Sequence, residues 1–110
     1  MKFYFKLKYL INRLYTLHVV ETDLDFIRTY FKKEIDSEQK YRDLMAKLQK
    51  KREVYTKKKM DLADINKEIS ATDQKLQAVL NYRQKIEQLE KTRVELAGFI
   101  DMLKKSLWSS

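Results

Sequence analysis

Nothing in this chain forces its backbone out of a helix: across 110 residues there is no proline, and Gly98 is the one glycine. Turns in compact domains draw on both residue types, proline because it removes a backbone donor and glycine because it enters conformations closed to other residues. Without them the backbone is free to run as helix nearly throughout. Helices in water are held mainly by packing one apolar face. Apolar residues make up 44% of the chain and charged ones 36%, which suits helices with one apolar stripe and a solvated remainder better than it suits disorder. The expectation is an all-α chain of at most one domain, with long amphipathic helices in a coiled coil or helical bundle.

The spacing of apolar residues supports that reading. Leu24, Ile27, Phe31, Glu34, Glu38, Tyr41, Met45, Leu48, Arg52 and Tyr55 follow one another at steps of three and four, the alternation of a coiled-coil seam with charged interruptions. Leu62, Ile65, Ile69, Thr72, Leu76 and Val79 continue it, and so do Ile86, Leu89, Arg93, Leu96, Ile100, Leu103 and Leu107. The register slips between Tyr55 and Leu62 and again between Val79 and Ile86, as local changes of winding or a chain reversal would make it. Phe26, Tyr30 and Ile35 lie beside the seam, so residues 24–35 present a face broad enough for two neighbours.

Residues 1–20 read as a short basic amphipathic helix, with Phe3, Leu7, Leu10, Leu14 and Leu17 at helical spacing and Phe5, Tyr9 and Ile11 widening the stripe. A boundary is expected near 18–22, where Thr22 followed by Asp25 is a weak variant of a capping box. Residues 23–107 form the long coiled-coil region. As a single helix it would reach roughly 130 Å at 1.5 Å per residue. A hairpin would reverse near 56–61 or 70–73, but neither segment holds Gly, Pro or Asn, so the continuous helix is the favoured form.

Little in the sequence points to chemistry. There is no cysteine, and His18 is the sole histidine, too few ligands for a conventional zinc site. Glu34 with Glu38, and Asp61 with Asp64, are paired carboxylates at helical spacing. On a charged helix such pairs are ordinarily solvated. One glycine allows no glycine-rich phosphate loop. No cofactor, metal site or catalytic residue is expected, and the chain is read as a protein that is not an enzyme.

The formal charge of +8 is carried by the first half: residues 1–20 hold four bases and no acid, 21–59 twelve bases and eight acids, and 60–110 eight of each. Lys47, Lys50, Lys51, Arg52, Lys57, Lys58 and Lys59 form a basic run opposed by Glu53 alone. It is a candidate anion-binding segment, although its positions are expected to go round the helix as solvated surface would. A basic, acid-poor start at 1–20 also fits peripheral membrane contact or organelle targeting, with packed structural helix the preferred reading. No stretch is apolar enough to span a bilayer, and an intracellular site is favoured.

The function these features point to is a structural or adaptor subunit that assembles with other helical chains. The expected protein interface is Leu24, Ile27, Phe31, Tyr41, Met45, Leu48, Leu62, Ile65, Ile69, Leu76, Ile86, Leu89, Leu96, Ile100, Leu103 and Leu107. Charged seam positions such as Glu34, Glu38, Arg52 and Arg93 would stack on their own kind in a symmetric homodimer, so a heteromeric partner, which could offer opposite charges and cover the broad face at 24–35, is preferred. The alternative is a nucleic-acid-associated coiled-coil protein using the basic run 47–59.

Overall fold

A computed structural model describes residues 2–109 and shows an all-α chain of four helices: α1 (Lys2–Tyr30), α2 (Lys32–Asp36), α3 (Glu38–Lys57) and α4 (Ala63–Ser109). The chain divides into two compact units. One is Phe31–Gln84, containing α2, α3 and the first part of α4. The other holds α1 and the part of α4 that begins at Lys85.

α1 runs straight through the boundary expected at 18–22, and the short helix 1–20 is part of a longer one. The reason lies on its inward face. Leu10, Arg13, Leu17, Val20, Leu24 and Ile27 keep steps of three and four across that segment, so a break there would divide a stripe that packs as one. Thr22 caps nothing: its hydroxyl donates to the carbonyl of His18 at 2.8 Å, inside the helix. The helix gives way instead at Phe31 and at Ser37, where the Ser37 N–H bonds the carbonyl of Glu34 at 3.1 Å. The Ser37 hydroxyl also donates to the Lys33 carbonyl at 2.8 Å, a bond that bends helices.

The chain then reverses between α3 and α4 at residues 58–62, overlapping the first of the two turn segments considered from sequence; Ser70 to Asp73 lie inside α4. The turn is made without glycine. Lys59 takes the left-handed conformation, φ 54°, its N–H bonds the carbonyl of Thr56 at 3.1 Å, and the N–H of Met60 reaches back to the carbonyl of Tyr55 at 2.9 Å. Those two bonds are a Schellman C-cap with lysine where glycine is usual. Asp61 then accepts from the N–H of Ala63 at 3.0 Å and opens α4, with Asp64 in its first turn against the positive end of the helix dipole. The continuous helix favoured from sequence is thus replaced by a five-residue connection.

In the Phe31–Gln84 unit α3 and α4 run antiparallel. Arg83 Nε bonds Glu38 Oε1 at 2.9 Å, and the rings of Phe31 and Tyr82 stack with centroids 4.0 Å apart. Leu48, Ile65, Leu76 and Val79 are buried within it, and so is Thr72. In the other unit the two helices are again antiparallel. Lys6 Nζ donates to Ser106 Oγ at 2.7 Å, the rings of Tyr9 and Phe99 meet edge to face, and Arg28 pairs with Glu90. Val20, Leu24, Leu89 and Leu96 form its core, flanked by Leu17, Ile27 and Ile86.

Candidate functional site

The sixteen residues expected to meet other chains face inward. Leu24, Leu48, Ile65, Leu76, Leu89, Leu96 and Ile100 are buried, Leu24 to 1% exposure. Ile27, Phe31, Tyr41, Met45, Leu62, Ile69, Ile86, Leu103 and Leu107 are half-buried. The seam is satisfied by the chain's own helices. Its expected slip between Val79 and Ile86 is bridged by Tyr82, half-buried against Phe31, which sits three residues after one and four before the other. The spacing of three and four by itself supplies this seam position.

The charged seam positions are accommodated within the chain as well. Glu38 lies between Arg83 and Arg42, the latter 3.6 Å away. Glu34 and Arg52 are exposed, and Arg93 is half-buried.

What the seam reading missed lies on the outer face of α1. Tyr4, Lys8, Ile11, Tyr15, Val19 and Thr22 are all exposed, Tyr4 to 63%, Ile11 to 59% and Tyr15 to 67%. At 100° per residue they occupy one arc of about 80°, opposite the arc of Leu10, Leu17, Val20 and Leu24. Phe26 and Tyr30 continue the outer arc and stack on each other, centroids 5.2 Å apart. α1 therefore carries two apolar stripes, of which α4 covers one. The sequence signal was the surplus of aromatic residues in 1–31; treating them as one wide face merged two narrow ones. A shallow groove of ≈ 920 Å³ adjoins the outer stripe, lined by Phe5, Lys6, Lys8, Tyr9, Ile11, Asn12, Tyr15 and Leu103. A neighbouring groove of ≈ 320 Å³ is lined by Phe3, Leu7, Leu10, Lys104, Leu107 and Trp108.

Beside these grooves Arg13 is held by aromatic rings. Its Nη2 donates to the Tyr9 hydroxyl at 2.8 Å, and its guanidinium carbon lies 4.8 Å from the Tyr9 ring centroid and 5.8 Å from that of Phe99. The Nε is out of solvent with no hydrogen-bond partner, and the ring faces give the guanidinium a favourable field.

All seven residues of the basic run are exposed. Five of them, Lys47, Lys50, Lys51, Lys57 and Lys58, share one arc of about 120° at 3.6 residues per turn, centred about 120° round α3 from Leu48. Arg52 stands apart, nearer the Leu48 side, and Lys59 belongs to the turn. Lys40 joins the same arc about 27 Å from Lys58 along the helix. Among the described residues none of these lysines makes an ion pair, and Lys51 lies 5.6 Å from the ring of Tyr55.

The residues weighed for chemistry are not gathered. His18, Glu34 and Asp64 are exposed, Asp61 caps α4 and Glu38 is paired with arginines. Among the described residues no cluster of three His, Cys, Asp or Glu side chains is placed to hold a metal ion, and no helix is long and apolar enough to cross a membrane. Comparison with protein-family models, curated proteins and solved structures finds no match for this chain.

Proposed function

We propose that this chain is a non-enzymatic structural or adaptor subunit that closes its own seam and docks on a helix of a protein chain through the outer face of α1. The observation that carries the reading is the outer stripe itself. Tyr4, Ile11, Tyr15 and Val19 recur at heptad-like spacing on a helix whose opposite face is already packed. A helix apolar on two faces is a helix with two neighbours, and exposed apolar patches of this kind mark interaction surfaces. The fold suits such a part: rigid helices, apolar grooves and scattered titratable groups offer shape rather than acid–base chemistry. A photo-crosslinking amino acid at position 15, in the cell that makes the protein, tests this. Protein adducts there and none at exposed Val94, on α4, are the expected result; no protein adduct at position 15 overturns it.

A second reading is favoured by one observation, the alignment of lysines along the outward arc of α3. Such an arc fits the backbone of a nucleic-acid duplex, because lysine meets phosphates as a point charge without reading bases. Tyr41 and Tyr55 are half-buried, so no exposed stacking platform for single strands accompanies it. Four phosphate contacts would weaken binding about a hundredfold between 50 and 200 mM salt. Duplex anisotropy with Lys47, Lys50, Lys51 and Lys58 changed to Gln checks it: the salt slope collapses if the arc binds. Binding that survives the four changes, or none in the native chain at low salt, ends this reading.

A further inference from the structure

The outer stripe of α1 has an internal symmetry. From Tyr4 through Lys8, Ile11, Tyr15, Val19 and Thr22 to Phe26 the steps are four, three, four, four, three, four, and they read the same in both directions about Tyr15. Two such helices laid antiparallel bring Tyr15 onto Tyr15, Ile11 onto Val19, Lys8 onto Thr22 and Tyr4 onto Phe26. Every stripe position then meets a stripe position. In coiled-coil terms the three flanking pairs each join an a position to a d position, and the central Tyr15 pair, at the four-four step that interrupts the heptad, meets itself on the twofold axis.

The charges around the stripe have the same symmetry. The part of α1 before position 21 is free of acids, and Glu21, Asp23 and Asp25 follow immediately. Among the described residues neither Lys8 nor these three acids makes an ion pair, and all four are exposed. In the antiparallel arrangement Lys8 arrives opposite Thr22 of the other helix, between its Glu21 and Asp23. In a parallel arrangement Lys8 would face Lys8 and the acids would face acids, which opposes association.

We propose that the occupant of the outer face of α1 is a second copy of this chain, paired antiparallel about Tyr15. This rests on reading that face as a docking surface. The interface is isologous: the same patch serves both copies, and a twofold axis passes beside Tyr15. Tyr15 is its central aromatic anchor, Ile11 and Val19 pack on either side, and the two Lys8 clusters set direction and register. The groove beside Phe5 and Tyr9 lies along the edge of the interface and receives the flank of the second α1.

Purified full-length chain tests this. Sedimentation equilibrium shows a reversible dimer, and Tyr15→Glu raises its dissociation constant on the order of a hundredfold while circular dichroism stays unchanged, since Tyr15 takes no part in the inner core. Lys8→Glu weakens the dimer roughly tenfold, and adding Asp23→Lys restores it. The chain has no cysteine of its own, so introduced thiols report geometry directly. Under mild oxidation Tyr15→Cys closes a covalent dimer. Lys8→Cys alone does not, its two copies standing about 21 Å apart, but Lys8→Cys mixed with Thr22→Cys does. A dimer indifferent to Tyr15→Glu, or one that closes Lys8→Cys on itself, overturns the proposal. So does a chain that stays monomeric at every concentration. If that monomer crosslinks from position 15 to a different protein, the docking surface stands and only its occupant was wrong; if it crosslinks to none, both readings fall.

Discussion

At the residue scale two positions depart from what a helical chain would choose. Lys59 holds a left-handed conformation that disfavours a residue with a Cβ by about 1–2 kcal/mol, in a C-cap where glycine is the usual occupant. Lys59→Gly relieves that penalty and gives back part of it through the freer unfolded chain. The expected outcome is a net gain of about 0.5–1 kcal/mol, read as a higher midpoint in urea. Gly98 is the converse case. It sits within α4 with φ negative, and a Cβ built on it meets nothing within 4 Å. Gly98→Ala therefore stabilises the chain by about 0.5–1 kcal/mol through helix propensity alone, and thermal melting checks it. The two predictions run opposite ways for one physical reason: a glycine helps where φ must be positive and costs where it need not be.

At the scale of the element, α1 is the informative one. The capping signal at Thr22 and Asp25 was read as a helix start, yet local capping chemistry is worth only about 1 kcal/mol. Burial of Leu17, Val20 and Leu24 in one continuous stripe outweighs it. A proline separates the two possibilities. At a helix start Thr22→Pro would be tolerated; in the interior of α1 it removes a backbone bond and clashes with the preceding turn, at about 3 kcal/mol or more. A urea midpoint lowered to that extent is expected, with loss of helicity near 222 nm, and an unchanged midpoint would contradict the continuity of α1. α3 shows the same contrast between composition and placement. Counted along the chain, 47–59 is simply lysine-rich. Placed on α3 with Leu48 turned inward, five of its lysines share one exposed arc.

At the scale of the whole molecule, the decisive fact is that the seam closes within the chain, in each of its two units. A long apolar strip left open would oblige the chain to find other helices before it could fold. Covered by its own α4, it needs none for that purpose. The chain expressed alone is expected to be highly helical with a cooperative thermal transition, and Leu24→Ala to lower its stability by about 2–5 kcal/mol, as circular dichroism with urea would measure. A weakly helical chain that gains structure only with a different protein would show that the seam is not self-satisfied.

How much of this was legible beforehand follows from what each signal measures. The absence of proline and the near absence of glycine determined that the chain is helical, and three-and-four spacing determined which apolar and aromatic residues turn away from water: the sixteen named for the interface are buried or half-buried, while Glu34 and Arg52 at the same spacing stay exposed. Periodicity is a property of one helix in cylindrical coordinates, and it reports a face without naming what lies against that face. Whether Leu24 meets Leu89 of the same chain or a residue of another is decided by a reversal at residues 58–62, and there the sequence offered Lys59 in place of the glycine that would have announced it. A Schellman cap with lysine costs no more than the packing of two helices readily returns, so tertiary contact could impose a turn that local preference did not request. The outer stripe of α1 emerged for the same reason. Only once α4 had claimed Leu10, Leu17, Val20 and Leu24 did Tyr4, Ile11, Tyr15 and Val19 stand out as a second face, because burial of one side is what distinguishes two stripes from one broad one.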